Sequence, residues 1–265
     1  MNSAHLPASQ PASLVARGLR YPGRVSLDEF ELKEGQCTVL CGPNGSGKSS
    51  VLRLLAGLDR APEGQVCIGD QDIESLSRAQ RSACVAWLPQ RPGLSAAMRC
   101  VEVVASARFR LSEPGPIAEK HARSLLSEGG LPQLSERLTT EVSGGELQRV
   151  LLIALAAQET PLVLVDEPAN HLDPAHQIHT YRQLGRMWQA GKGLLIVSHD
   201  VRLARLLGQP SQVRVLGMSE GRLVADSPLD APDLPQILEQ LYGVPFLGQG
   251  DRAALSIDLL QAEGQ

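Results

Sequence analysis

Apolar and polar positions change period several times along the chain. Residues 14–19 and 25–32 alternate and predict two strands of a small β-layer. Residues 36–41 form a short apolar run that stops at a glycine-rich turn, the pattern of a parallel strand buried on both faces. Residues 48–58 switch to helical spacing, and Val51, Leu52, Leu54 and Leu55 can share one helix face. Further strands are predicted at 65–69 and 84–88. From 91 to 157 the alternation stops and helical patterns take over, at 100–108, 117–127 and 146–157, with Pro and Gly breaks between them. The α/β rhythm then returns with strand 162–165, helix 174–189, strand 193–197, helix 200–207, late strands 213–216 and 222–224, and a helix at 233–241. This order predicts an α/β chain in which one core, residues 13–90 and 158–243, is interrupted by a helical insertion at 91–157. Residues 1–12, rich in Ser, Ala and Pro, read as a mobile arm, and 244–265 as a tail.

Composition adds exclusions. Of 265 residues, 43% are hydrophobic and 20% charged, enough to bury a sizeable core. The net charge of -4 gives no case for nucleic acid, which calls for a basic surface. No stretch approaches the roughly 18 apolar residues that cross a bilayer. The longest apolar run, 150–157, is closed by Gln158 and Glu159, and the N-terminus has no basic-then-apolar signal pattern. Contact with a membrane is therefore expected only through a partner. The five cysteines are odd in number and show no CxxC spacing, and Cys37 and Cys41 fall on a predicted buried strand. They read as reduced thiols that behave as small apolar residues.

Two stretches carry phosphate chemistry. Gly42-Pro43-Asn44-Gly45-Ser46-Gly47-Lys48-Ser49 fits the P-loop pattern in full, between an apolar strand and an amphipathic helix. Gly45 and Gly47 let the backbone turn its N–H groups toward phosphate, and the helix that follows adds the positive end of its dipole. Lys48 supplies a charge for the β- and γ-phosphates of ATP, and the Ser49 hydroxyl can join a Mg2+ shell. The second stretch, Leu162-Val163-Leu164-Val165-Asp166-Glu167, is an apolar strand ending in two carboxylates. Asp166 is placed to hold Mg2+ directly or through water, and Glu167 to orient and deprotonate the attacking water.

Val142-Ser143-Gly144-Gly145-Glu146-Leu147-Gln148-Arg149 separates this chain from other P-loop proteins. Small residues at a helix start expose N–H groups and form a second anion site; Ser143 can also cap the helix. The stretch resembles the signature sequence of the ABC ATPases, usually led by Leu-Ser-Gly-Gly. That resemblance spans roughly residues 13–243 and implies a RecA-like P-loop core, an N-terminal antiparallel β-layer and an ABC-type helical subdomain. It also implies that the signature of one subunit, Ser143 to Glu146, closes over the nucleotide held by the other. On the same basis Gln90 resembles the Q-loop glutamine, which senses Mg2+ and the γ-phosphate. Asp173 resembles the D-loop aspartate at the dimer seam, and His199 the switch histidine. Tyr21 is the aromatic placed to stack on adenine, and Ser50 stands where Thr is commoner. Val142 and Glu146 replace the usual Leu and the frequent Gln, and neither change removes the Ser-Gly-Gly site. His171, His176 and His179 suggest a metal site only superficially, because no carboxylate or cysteine completes the set at ligand spacing.

The resemblance implies a homodimeric ATP-hydrolysing motor on the cytoplasmic face of a membrane. Its partners would be transmembrane permease subunits and, indirectly, an extracytoplasmic binding protein. One ATPase domain without fused membrane helices is similar to bacterial importers with separate subunits. The Ser-Gly-Gly-Glu-x-Gln-Arg-Val form and the run from Leu241 to Phe246 resemble the iron-siderophore, haem and cobalamin uptake subfamily. The rival is a non-transport ABC ATPase acting on ribosomes, which shares the form Asn170-His171-Leu172-Asp173 but normally has two tandem domains.

Overall fold

The computed structural model describes residues 12–91, 93, 97–247 and 256–257. The arm expected at 1–12, apart from Ala12, and most of the tail at 244–265 lie outside the described residues. The chain opens with β1 (Ser13–Tyr21) and β2 (Val25–Lys33), antiparallel partners in a four-stranded layer. Next come β3 (Cys37–Cys41) and α1 (Lys48–Leu55), then β4 (Glu63–Ile68) and β5 (Gln71–Asp72), which complete that layer. A short helix α2 (Arg78–Cys84) leads into β6 (Val85–Leu88). Three helices follow, α3 (Cys100–Ala107), α4 (Gly115–Glu128) and α5 (Gly144–Ala157). The core then resumes with β7 (Leu162–Asp166), α6 (Pro174–Gln189), β8 (Gly193–Val197), β9 (Val213–Ser219) and β10 (Arg222–Pro228). Helix α7 (Leu234–Tyr242) precedes β11 (Phe246–Leu247), which pairs with β12 (Ser256–Ile257).

Strand periodicity sets the layering. The central sheet runs β10-β9-β3-β8-β7-β6, parallel except for the β9–β10 hairpin. Successive side chains of a strand face opposite sides, so the apolar runs of β3, β7 and β8 feed two cores at once. Val39, Val163, Val165, Leu194 and Ile196 join one apolar cluster with α3, α5 and α6. Leu40, Leu162, Leu164, Leu195 and Val197 join another, with α1 and the four-stranded layer. Residues of the helical insertion, such as Val101, Leu126 and Leu152, thus share a cluster with the central sheet. No helix among the described residues is long and apolar enough to cross a membrane.

Several boundaries differ from the sequence expectation, each for a local reason. Helix α1 ends at Leu55 instead of 58. The Leu58 N–H bonds to the Arg53 carbonyl and the Gly57 N–H to that of Leu54, the paired bonds that close a helix at a glycine. Cys84 ends α2 and does not begin a strand. The Ser77 side chain accepts from the Gln80 N–H while Gln80 accepts from the Ser77 N–H, a reciprocal cap that starts α2. Residues 201–207 form a 3₁₀ helix instead of an α-helix. Val201, Ala204 and Leu207 are its buried residues, and three residues per turn puts all of them on one line.

Candidate functional site

Strand β3 delivers the chain into the loop 42–47, and α1 begins at Lys48. Close backbone approach explains two of the loop's glycines. A methyl group on Gly42 would lie 2.0 Å from the Met218 carbonyl oxygen, and one on Gly47 2.3 Å from that of Arg24. The loop is thereby pinned between β9 and the β1–β2 turn. Gly45 takes φ +80 in open space. Lys48 is only 5% exposed and donates to the Gly42 and Pro43 carbonyls at 2.8 Å. Burial pulls its ammonium below the usual lysine range, and the Glu167 carboxylate is the leading opposing influence.

A cavity of about 590 Å3 opens over this loop, within the roughly 300–1,000 Å3 of ordinary ligand sites. Asn44, Gly45, Gly47, Lys48, Ser49 and Ser50 line it from the loop and α1. Gln90, Glu167, Asn170 and His199 line it from the ends of the central strands. Three predicted positions far apart in sequence, Gln90, Glu167 and His199, therefore converge with the P-loop on one space.

The two carboxylates diverge at a backbone kink. Asp166 is the last residue of β7, and Glu167 turns to φ 48 while its N–H bonds to the Val197 carbonyl at 3.0 Å. A non-glycine residue in this region costs about 1–2 kcal/mol, and such strain gathers at functional positions. The Glu167 side chain, 10% exposed, accepts from Gln90 Nε2 at 2.6 Å and from Asn170 Nδ2, and His199 Nε2 contacts its other oxygen. One carboxylate is thus held by three side chains from three loops.

Asp166 is 5% exposed, and its Oδ1 is buried without a hydrogen-bond partner. Burial pushes its carboxyl above the usual range, opposed first by the Ser49 hydroxyl. A buried anionic oxygen that protein groups leave unsatisfied, beside a hydroxyl, suits a hard divalent cation such as Mg2+. The raised value means that the folded state holds the proton more tightly than the unfolded chain. The penalty is absent while the carboxyl stays protonated and develops as pH rises past the unfolded-state value. Asp166→Asn is accordingly expected to melt no lower than the wild type near neutral pH without nucleotide, with the difference vanishing on acidification. The same variant should lose the extra stabilisation by MgATP over ATP alone; thermal melts across pH check both.

The predicted signature forms the start of α5. Ser143 caps it, accepting from the Glu146 N–H at 3.2 Å, while Glu146 accepts from the Ser143 N–H at 2.9 Å. That N–H draws the Glu146 carboxyl below its usual range. The sequence allowed a cap and an anion site together, and the cap is present. None of Ser143, Gly144 and Gly145 lines the cavity over Lys48. Asp173 caps α6 in the same way, its Oδ1 accepting from the His176 N–H at 2.9 Å. Of the three histidines in this region, His176 pairs with Asp173, and no cluster of metal-ligating side chains occurs among the described residues.

Tyr21 closes β1 but does not itself line the cavity. The Arg24 guanidinium lies over its ring, 5.3 Å from the centroid, and Arg24 is the residue that faces the cavity. Sequence reading missed Arg24, Asn170 as a partner of Glu167, and Tyr242. The Tyr242 hydroxyl, on the last residue of α7, accepts from the Gly42 N–H at 2.9 Å. Tyr242→Phe strands that N–H and should cost on the order of 1–3 kcal/mol of stability. It should also raise the KM for ATP more than it changes kcat, as denaturant titration and steady-state kinetics would show.

Comparison with known proteins adds to this geometry. The ABC transporter family profile matches residues 26–170. A hemin import ATP-binding protein of Bordetella pertussis is 33% identical over 225 residues, covering 80% of this chain and 84% of the relative. A petrobactin import ATP-binding protein of Bacillus subtilis is 28% identical over 229 residues, covering 84% and 89%. Among solved structures, an inward-facing metal-chelate type ABC transporter superposes with a TM-score of 0.77 at 21% identity, over 95% of this chain and 99% of the other.

Proposed function

This chain belongs to the ABC transporter family, and from that premise we propose that it is the ATP-hydrolysing motor subunit of a bacterial importer for haem or iron-siderophore complexes. The observation that carries the mechanism is the division of the site. The cavity holding Lys48, Glu167 and His199 lacks the signature residues of its own chain. A second copy, related by a two-fold axis, supplies Ser143, Gly144 and Gly145 to each nucleotide. Residues 13–90 and 158–243 act as the nucleotide-binding core, and 91–157 as the subdomain that carries the signature.

Hydrolysis in such a site is positioning and charge neutralisation around an in-line attack. The P-loop N–H groups and Lys48 bind the phosphates of ATP, and Glu167 orients the water and takes its proton. His199 steadies the γ-phosphate, and Gln90 reports on it to the membrane partner. Ser49, Gln90 and Asp166 would hold Mg2+, which neutralises charge on the β- and γ-phosphates. Asp173 lies at the seam, and Arg24, backed by the Tyr21 ring, faces the base.

Closure on ATP and reopening after hydrolysis would drive a pair of permease subunits on the cytoplasmic face of the membrane, with an extracytoplasmic protein delivering cargo. The names of the relatives favour haem or siderophore over cobalamin. Copurification from detergent-solubilised membranes tests the proposal. A polytopic membrane partner whose transport of haem or ferric siderophore requires this chain is the expected result. Recovery with ribosomes and no membrane partner would overturn it.

A further inference from the structure

His176 stands between two parts of the proposed seam. It is the third residue of α6, and both oxygens of Asp173 engage it: Oδ1 accepts its backbone N–H at 2.9 Å, and Oδ2 lies 2.8 Å from ring Nδ1. The backbone N–H leads the influences that hold the Asp173 carboxyl below its usual range. The other side of the imidazole rests on the start of α5. A methyl group on Gly145 would lie 2.3 Å from the ring Cδ2 and 2.5 Å from Cγ. The ring thus fills the space that the missing side chain of Gly145 leaves. Glycine is required there by its neighbour, since its backbone φ is not in the left-handed region.

We propose that His176 is a positioning residue for ATP hydrolysis: it locks the signature turn to Asp173 within one subunit, so that both reach the other subunit's nucleotide in register. This rests on the two-subunit site proposed above. Two independent contacts make the lock, a ring face on Gly145 and a hydrogen bond to Asp173. The hydrogen bond fixes the orientation of the ring, and the close packing on Gly145 fixes how near α5 can come to it. A misplacement of about 1 Å in a site of this kind is sufficient to cost up to 100-fold in rate. His176 itself does not line the nucleotide cavity.

The full chain tests this in two formats, turnover in the otherwise wild-type protein and ATP-driven dimerisation in a Glu167→Gln background. His176→Ala is expected to lower kcat about 10-fold and to weaken dimerisation comparably. Binding of a fluorescent ATP analogue by single chains should stay within about twofold, because the P-loop is untouched, and the melting temperature should stay close to that of the parent. His176→Asn keeps a donor toward Asp173 and His176→Phe keeps a ring over Gly145; each should recover part of the loss. The proposal is overturned if His176→Ala turns over and dimerises within twofold of its parent. It is also overturned if neither Asn nor Phe recovers anything, or if the loss merely follows stability or single-chain nucleotide affinity. Failure of the Glu167→Gln parent to dimerise with ATP is a different result, since it removes the two-subunit reading and this proposal with it.

Discussion

Glu167→Gln is expected to lower ATP turnover at least about 100-fold while leaving nucleotide binding intact. Glutamine has nearly the same shape, so it can keep the φ of 48 and the burial that this position imposes. What it loses is the capacity to accept a proton. Its amide oxygen can still accept from Gln90 and Asn170, which both donate to Glu167 Oε2, so only the end that faces His199 changes from acceptor to donor. Chemistry should therefore stall after ATP has bound, and the protein should accumulate as an ATP-loaded dimer. Phosphate release measures the first effect, and size-exclusion chromatography in MgATP the second. Near-normal phosphate release would move the base to another group, with His199 next in line because it contacts the same carboxylate. His199→Ala gives the contrast, since it removes a partner and leaves the carboxylate in place.

What was legible in the sequence was whatever the chain encodes locally. The runs that became β3, β7 and β8 are apolar on both faces because two layers cover the sheet, so a period count finds them. The P-loop is likewise contiguous, and its strand and helix flank it at once. Contacts between distant segments were not legible. Nothing beside Tyr242 in sequence shows that its hydroxyl meets Gly42, 200 positions earlier. Gln90 and Glu167, 77 positions apart, were paired only through a family likeness, and Arg24 carries no local mark that its carbonyl crowds Gly47. The helix expected at 200–207 failed for a different reason. A three-residue apolar spacing fits both helix types over so short a stretch, and the packing decides between them. A polar cap such as Ser77 with Gln80 was readable in principle, but the short α2 offered no apolar stripe to draw attention to it.

A mixing experiment should show the sharing of the site most directly. Gly144 has no atom within 4 Å of where a side chain would begin, so Gly144→Asp fits the single subunit. An added carboxylate in the first turn of α5 even suits the helix dipole, and the folded chain should lose no stability. Facing a triphosphate across a seam, the same carboxylate repels it, and the homodimer should be inactive. Lys48→Ala is expected to be inactive for the opposite reason, having no P-loop charge for the phosphates. Mixed in equal amounts, half of the dimers combine one copy of each. In those, the intact P-loop of the Gly144→Asp chain meets the intact signature of the Lys48→Ala chain, giving one complete site of two. Turnover should then return to roughly a quarter of the wild-type rate, from two proteins that are each silent. If each chain hydrolysed ATP with its own residues alone, mixing would restore nothing, because every chain in the mixture carries a defect. Recovery on mixing is therefore a test of geometry: it occurs only if Ser143 to Gly145 and Lys48 serve different nucleotides in the same dimer, the arrangement proposed because none of Ser143, Gly144 and Gly145 lines the Lys48 cavity of its own subunit.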